Sequence, residues 1–408
     1  MPDPARAPDE SPLRSPFGSR VFRELWTTNL LSNFGGQAQV VAAGWLMAQM
    51  TGSAQLVALV QTATYTPIML FILAGGALAD RGNRRRMLLV TQSAMLLVAL
   101  SLGILTWAGQ LRPWTLLALV FMGSSFNAFS NPSWQASLRD ILPRSLISHG
   151  VGLNSTSVNL ARTLGPALGG MLVSIAGAAA FLANALSFTG FLVALSRWRS
   201  RAVAADVRRD PLLPAMLAGI RYVARTPPVR RAVIRGGLSG FSASAIFALL
   251  AVLVSQGLHA DARVYGLLLA SCGTGAVLSA YAGASLRAGL SPDQVLRIAA
   301  GALTIGLAIL GLAAHAWVAG IGAALGGAGW TLSHSTFNTT VQLTSAPAYC
   351  GRALATYQTA TFAGMATGSA VLGWVAGHVG TTSAFLLASG CQAAAALSAR
   401  ALALPQRP

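Results

Sequence analysis

Arg162 stands in the middle of a long apolar run, with Ser155 and Asn159 on the same helical face at spacings of seven and three. A charge in such surroundings is costly and marks a functional site by default. Two uses are open to it: holding an anionic group of a ligand, or bonding backbone carbonyls freed at a helix bend. Trp330, His334 and Asn338 fall four apart and form another stripe. Imidazole changes charge near neutral pH, so His334 is a candidate proton carrier; its other reading is a hydrogen-bonded packing residue. Amides recur in the same way, as Asn29, Asn33 and Gln37 in the first run and Ser124, Asn127 and Asn131 in the fourth. Gln61 with Tyr65, and Gln358 with Thr361, add polar groups in the second and eleventh. Singly these residues suit bonds between helices. Together they suit the wall of a wet cavity, with Asn33, Gln37, Asn127, Asn159, Arg162, Trp330, His334, Asn338 and Gln358 as its candidates.

Other chemistries are excluded. There is no His-Glu-x-x-His pattern, no Gly-x-Ser-x-Gly elbow and no His/Cys cluster, so neither an enzyme, a metal site nor a cofactor is expected. Cys272, Cys350 and Cys391 are odd in number and far apart, which gives no disulfide framework. All 28 basic residues are arginine, so a Walker lysine cannot exist. The ten acids fall in tails, loops or the ends of apolar runs, which leaves no central carboxylate to carry a proton.

The elements that position these groups follow from composition. Of 408 residues, 54% are hydrophobic and only 9% charged. Soluble domains carry roughly 25% charged residues, so the solvent for this surface is lipid. A spanning helix needs about 20 apolar residues. Twelve such runs occur, at 25–49, 54–79, 87–109, 114–134, 149–174, 179–197, 232–256, 264–286, 296–314, 316–341, 353–376 and 382–402. The net charge of +18 does not signal nucleic acid, because the arginines sit between apolar runs and on one side of the membrane. Only Arg112 and Arg263 fall on the other side. Both termini are therefore expected in the cytoplasm of a bacterial-type cell, in the inner membrane, with no cleavable signal peptide.

The longest polar stretch divides the chain. The expected organisation is a tail over 1–21, a six-helix half over 22–197, a linker over 198–231, a second half over 232–402 and a tail over 403–408. Within the linker, Asp210 and Pro211 suit a helix start, followed by Leu212, Leu213, Met216, Leu217, Ile220 and Val223 at helical spacing. Arg221 and Arg225 would then face lipid headgroups, or the helix is a solvated connection. Such duplicated bundles place the substrate site at mid-membrane between halves. An all-α, polytopic, monomeric membrane protein with a small-molecule partner is the reading of these patterns.

Two motifs sharpen it. Gly76, Asp80, Arg81 and the cluster Arg84, Arg85 and Arg86 follow the second run. The loop resembles that of the major facilitator superfamily, with Asn83 where glycine is usual; asparagine also tolerates a left-handed turn. The fifth run carries Gly152, Ala161, Gly165, Pro166, Gly169 and Gly170. That spacing resembles the antiporter motif of the same superfamily, with Ala161 in place of a glycine. Gly165 and Pro166 would bend the helix and bare its backbone, and Gly169 and Gly170 would allow tight packing. The wider pattern includes Asn131, Trp134, Gln135, Asn154, Arg162 and Asn184. It is similar to the enterobactin-exporter-like, or transmembrane secretion effector, branch over about 22–400. The resemblance implies alternating-access export of a siderophore-, drug- or metabolite-like molecule by proton antiport. Import and a non-transport sensor are the competing readings. Asp80, Arg81, Arg85 and Arg352 are expected at a cytoplasmic gate, with Asp80 pairing Arg352. The fourth run lacks the arginine that many proton-coupled exporters carry there, so no coupling role is expected of it.

Overall fold

The computed structural model describes residues 15–81, 83–198, 212–346 and 349–398. Among them are thirteen α-helices. The first six are α1 (Arg20–Thr51), α2 (Ala54–Arg81), α3 (Arg84–Trp107), α4 (Pro113–Ile141), α5 (Ile147–Ile175) and α6 (Ala179–Arg197). A short α7 (Leu212–Arg225) follows. The second set is α8 (Pro227–Val252), α9 (Ala262–Gly289), α10 (Pro292–Leu312), α11 (Ala316–Thr344), α12 (Cys350–Val379) and α13 (Thr381–Ser398). A π-helical turn, Leu253–Gly257, extends α8. Each of the twelve apolar runs has become one long helix.

Local chemistry sets the ends. Ser19 caps α1 by accepting from Phe22 N, and Gly52 closes it in the left-handed region at φ 58°. Asp261 caps α9, and Ser291 with Gln294 forms a reciprocal capping box at α10. Asn83 departs from expectation. Its backbone is extended (φ −71°, ψ 100°), and Oδ1 accepts from Arg86 N at 3.0 Å. It starts α3 as an N-cap rather than making a left-handed turn. α4 also runs further than its apolar stretch, through Arg139 to Ile141, because its last turns line a polar cavity on one side and pack on the other.

Packing reveals the duplication. In the first half α1 packs on α5 and α6, α4 on α2 and α3, and α3 on α6. In the second, α8 packs on α12 and α13, α11 on α9 and α10, and α10 on α13. The two patterns superimpose when each helix is shifted by one half. The halves meet symmetrically, α5 against α9 and α12 against α2.

Burial is arranged for lipid. Large apolar side chains such as Leu97, Leu186 and Leu278 stand on the outside. Six helices (α2, α3, α6, α8 with its π turn, α9 and α10) are long and apolar enough to cross a membrane by length and composition alone. The others include α1, α4, α5 and α11, whose polar and small residues lower their apolarity. Trp107, Trp114, Trp317 and Trp374 are exposed near helix ends at the pole opposite the arginine clusters. Indole rings favour the headgroup level, so they mark one interface.

α7 is amphipathic. Val223 is buried, while Leu217, Ile220, Arg221 and Arg225 are exposed. Tyr222 stacks on Tyr349 at 4.6 Å, and its hydroxyl accepts from Ala346 N at 2.8 Å. The helix is thereby fastened to the α11–α12 connection. Asp210 and Pro211, and the side chains of Leu212, Leu213 and Met216, lie outside the described residues.

Candidate functional site

A cavity of about 590 Å³ opens between α4 and α5 at the arginine-rich end. α4 presents Asn131, Gln135 and Arg139 to it, and α5 presents Val151, Asn154, Ser155, Val158, Asn159 and Arg162. Residues three or four apart share one helix face, so each wall is a single stripe. Arg162 lies fifteen residues into α5, at about 22 Å of rise from its start. Its side chain is solvent-accessible through the cavity although it sits deep in the bundle.

The electrostatics are one-sided. Among the described residues no carboxylate lines the cavity. Arg84, at the mouth, donates to Asp140 Oδ1 at 2.8 Å. Arg162 makes no hydrogen bond or ion pair among the described residues. The backbone-carbonyl use of this arginine is therefore not the one adopted.

The polar wall is partly fixed by its own bonds. Trp134 Nε1 donates to Asn154 Oδ1 at 2.8 Å, and Gln135 Nε2 donates to Asn131 Oδ1 at 2.8 Å. An indole N–H can only donate, so Asn154 must turn its oxygen toward Trp134 and keep its NH₂ group free.

On the other half, Trp330 stacks on His334 at 5.3 Å and His334 on Tyr357 at 5.6 Å. The Tyr357 hydroxyl lies 2.9 Å from His334 Nδ1 and 3.2 Å from its backbone oxygen. Tyr65 faces Phe362 across the two halves at 6.1 Å. The histidine thus has a fixed ring and a hydroxyl partner bridging α11 to α12.

Asn159 and Arg162 are the expected residues that the cavity brings together. Asn127 precedes Asn131 by four and continues its face without reaching the wall. Asn33 is instead committed between helices, donating to Ser157 Oγ at 3.0 Å. Gln37 packs under Gly165. Asn338 accepts from Gln342 on its own helix, and Gln358 is half-buried on α12. Asn131 and Ser155, read from sequence as members of polar stripes, line it too, while Gln135, Asn154 and Arg139 line the cavity without having been singled out for it. The i, i+4 spacing of Asn131 and Gln135 was the signal available.

The gating residues divide similarly. Arg85 donates to the Leu195 and Ser196 carbonyls at 3.0 and 2.8 Å and so braces the end of α6. Arg352 lies 5.8 Å from the Tyr349 ring, beneath Gly219 of α7. The side chains of Asp80 and Arg81 lie outside the described ones.

The glycines of α5 have distinct partners. A methyl group at Gly165 would sit 2.7 Å from Gln37 Cβ, and one at Gly169 would sit 2.7 Å from Ala38 Cα, both on α1. At Gly170 it would meet the Ala262 oxygen at 2.6 Å and Gly266 Cα at 2.9 Å, across the halves. At Gly273 it would meet Thr163 Cα at 2.5 Å, and Thr163 Oγ1 donates to the Gly273 oxygen at 3.2 Å. α5 runs on as helix through Pro166, whose carbonyl faces Gly266. Gly152 is different, since nothing lies within 4 Å of a side chain there.

A duplicated bundle joined by a glycine seam, with a polar cavity between α4 and α5, is matched throughout by the family model described as transmembrane secretion effector, over residues 11–407. The chain belongs to this family. It is thus a multi-pass membrane transporter of the major facilitator superfamily, a family of transporters rather than enzymes, with a small-molecule substrate. The MFS-type transporter YfiS of Bacillus subtilis (strain 168) is 24% identical over 90% of this chain and 89% of its own. The enterobactin exporter EntS of Citrobacter koseri is 26% identical over 86% of this chain and 84% of its own. Among solved structures, the nucleoside transporter NupG (D323A mutant) superimposes with a TM-score of 0.79 at 11% identity, covering 94% of this chain and all of the other. That likeness is one of fold.

Proposed function

We propose that the protein is a secondary active exporter that moves a small siderophore-, drug- or metabolite-like molecule out of a bacterial cell. It sits as a monomer in the inner membrane with both termini cytoplasmic, and works by alternating access with proton antiport. The observation that carries this reading is the asymmetry of the halves. They are sealed along Gly170–Gly266 and Gly273–Thr163, while the α4–α5 cavity stands open at the arginine-rich end. By the positive-inside rule that end is cytoplasmic, so this state is open to the side from which an exporter loads. Relatives that export siderophores and drugs support the direction. Arg162 and Asn159 serve as substrate contacts, and His334 with Tyr357 as the proton site, in place of a central carboxylate. Asp80, Arg81 and Arg352 act at the cytoplasmic gate.

The test is uptake into inverted membrane vesicles from efflux-deficient cells. Energised vesicles holding the protein should accumulate siderophores or drugs from a labelled panel, and a protonophore should stop it. Equal accumulation in vesicles with and without the protein, across the panel, would count against export.

A further inference from the structure

Resting on the export reading, we propose that the α4–α5 cavity selects organic anions rich in acceptor oxygens, with Arg162 as the anchor and Asn154 as a neighbouring donor. Four observations carry it.

First, the innermost wall residue is a guanidinium with no partner of its own among the described residues. A cation held deep in a bundle is costly unless an anion or water satisfies it. Guanidinium offers five donors in a planar fork suited to carboxylate oxygens. Second, Arg139 adds a second positive charge nearer the mouth, while the only cation there with a carboxylate partner is Arg84. Walls of one sign focus the field and draw in the opposite charge. Third, the Trp134 bond fixes Asn154 so that its free group is a donor. The wall therefore offers N–H groups where a carboxylate or phenolate needs them. Fourth, 590 Å³ is room for a drug-sized ligand and not merely an inorganic ion. A positively charged amphiphile would meet three guanidinium groups in the wall, of which Arg84 is paired with Asp140, and no lining carboxylate.

Two xanthene dyes of similar size and opposite charge make the test. Purified full-length protein in phosphatidylcholine nanodiscs is titrated against carboxyfluorescein, an anion, and rhodamine 6G, a cation, with fluorescence polarisation as the readout. Carboxyfluorescein should bind saturably. Arg162→Gln, which keeps the side chain's length and polarity, should weaken it about tenfold or more, as loss of a charged hydrogen bond does. Arg162→Lys should recover part of the affinity. Rhodamine 6G should bind more weakly than carboxyfluorescein, and no more weakly in Arg162→Gln than in wild type. Thermal unfolding confirms that each variant is folded. Preference for rhodamine 6G, or a carboxyfluorescein affinity unchanged by Arg162→Gln, overturns the anion inference. If rhodamine 6G is also pumped into inverted vesicles, export stands and only the charge preference falls. If neither dye is bound or pumped, the anion inference is rejected along with the cavity's role.

Discussion

Gln256 Nε2 donates to the Gly52 carbonyl at 2.6 Å, joining the π turn after α8 to the α1–α2 connection. This bond crosses the two halves at the pole opposite the arginines. One net hydrogen bond contributes about 1 kcal/mol, or roughly fivefold in a conformational equilibrium. Gln256→Ala should shift the protein toward opening at that pole by about this factor. With Cys350 and Cys391 replaced by serine, buried Cys272 reports it, as faster labelling by an impermeant maleimide from the periplasmic side.

The seam itself admits no side chain. Gly266→Leu would push into the Pro166 oxygen and Gly170 Cα, which lie 2.7 and 2.9 Å from a methyl at that position. Overpacking of this kind costs about 1–3 kcal/mol. The variant should lose the sealed state and at least most of its transport, while Gly152→Ala, in open space, should transport as wild type. Vesicle uptake compares the two.

Asn154→Asp keeps an acceptor for Trp134 but exchanges the cavity-facing NH₂ group for negative charge. Carboxyfluorescein affinity should fall and rhodamine 6G affinity rise, read by the same polarisation titration. A fall in both would mark a structural role instead.

Arg235 is buried at 7% exposure and pairs with Asp293 at 2.7 Å, with its guanidinium 5.6 Å from the Phe337 ring. Asp293→Ala takes away that carboxylate and should destabilise the second half by about 3 kcal/mol. Differential scanning fluorimetry of the purified protein measures it, and the double variant Arg235→Met/Asp293→Ala should regain much of the loss.

His334→Ala should abolish proton-driven accumulation while substrate counterflow persists, since counterflow needs the cavity but no net proton movement. Tyr357→Phe removes the hydroxyl partner and should displace the pH profile of uptake without abolishing it. Loss of counterflow in His334→Ala would place the histidine in substrate binding instead.

The helices were legible because a spanning segment must be predominantly apolar, most plainly in the six whose length and composition alone suffice to cross a membrane, and the polar residues of α1, α4, α5 and α11 dilute that signal without erasing it. Arg162 was legible for the same reason, as a charge where charge is costly. The finer partnerships were not. Asn33 and Asn159 look alike as amides on helices, yet one bonds Ser157 and the other faces the cavity, a difference of only helix rotation. Asn83 looked like a glycine substitute because turn position and cap position are adjacent in sequence. Gly152 matched a spacing, but its neighbours leave it open, since sequence spacing does not show which helix comes close.

The seam between α5 and α9 is built at its middle from backbone atoms and hydrogen, with a hydroxyl at Thr163 as one polar link, and toward the outer pole Arg263 Nε donates to Ser174 Oγ at 3.0 Å. Arginine keeps its proton across the whole physiological range, and a serine hydroxyl does not titrate there. The cohesion of this seam is therefore indifferent to protons. Whatever proton step drives the cycle has to be received elsewhere, at the centre or at the arginine-rich pole, and reach the seam as mechanical displacement of whole helices. The outer door keeps its latches at Arg263 and Gln256, but neither answers to a proton; it follows the hinge.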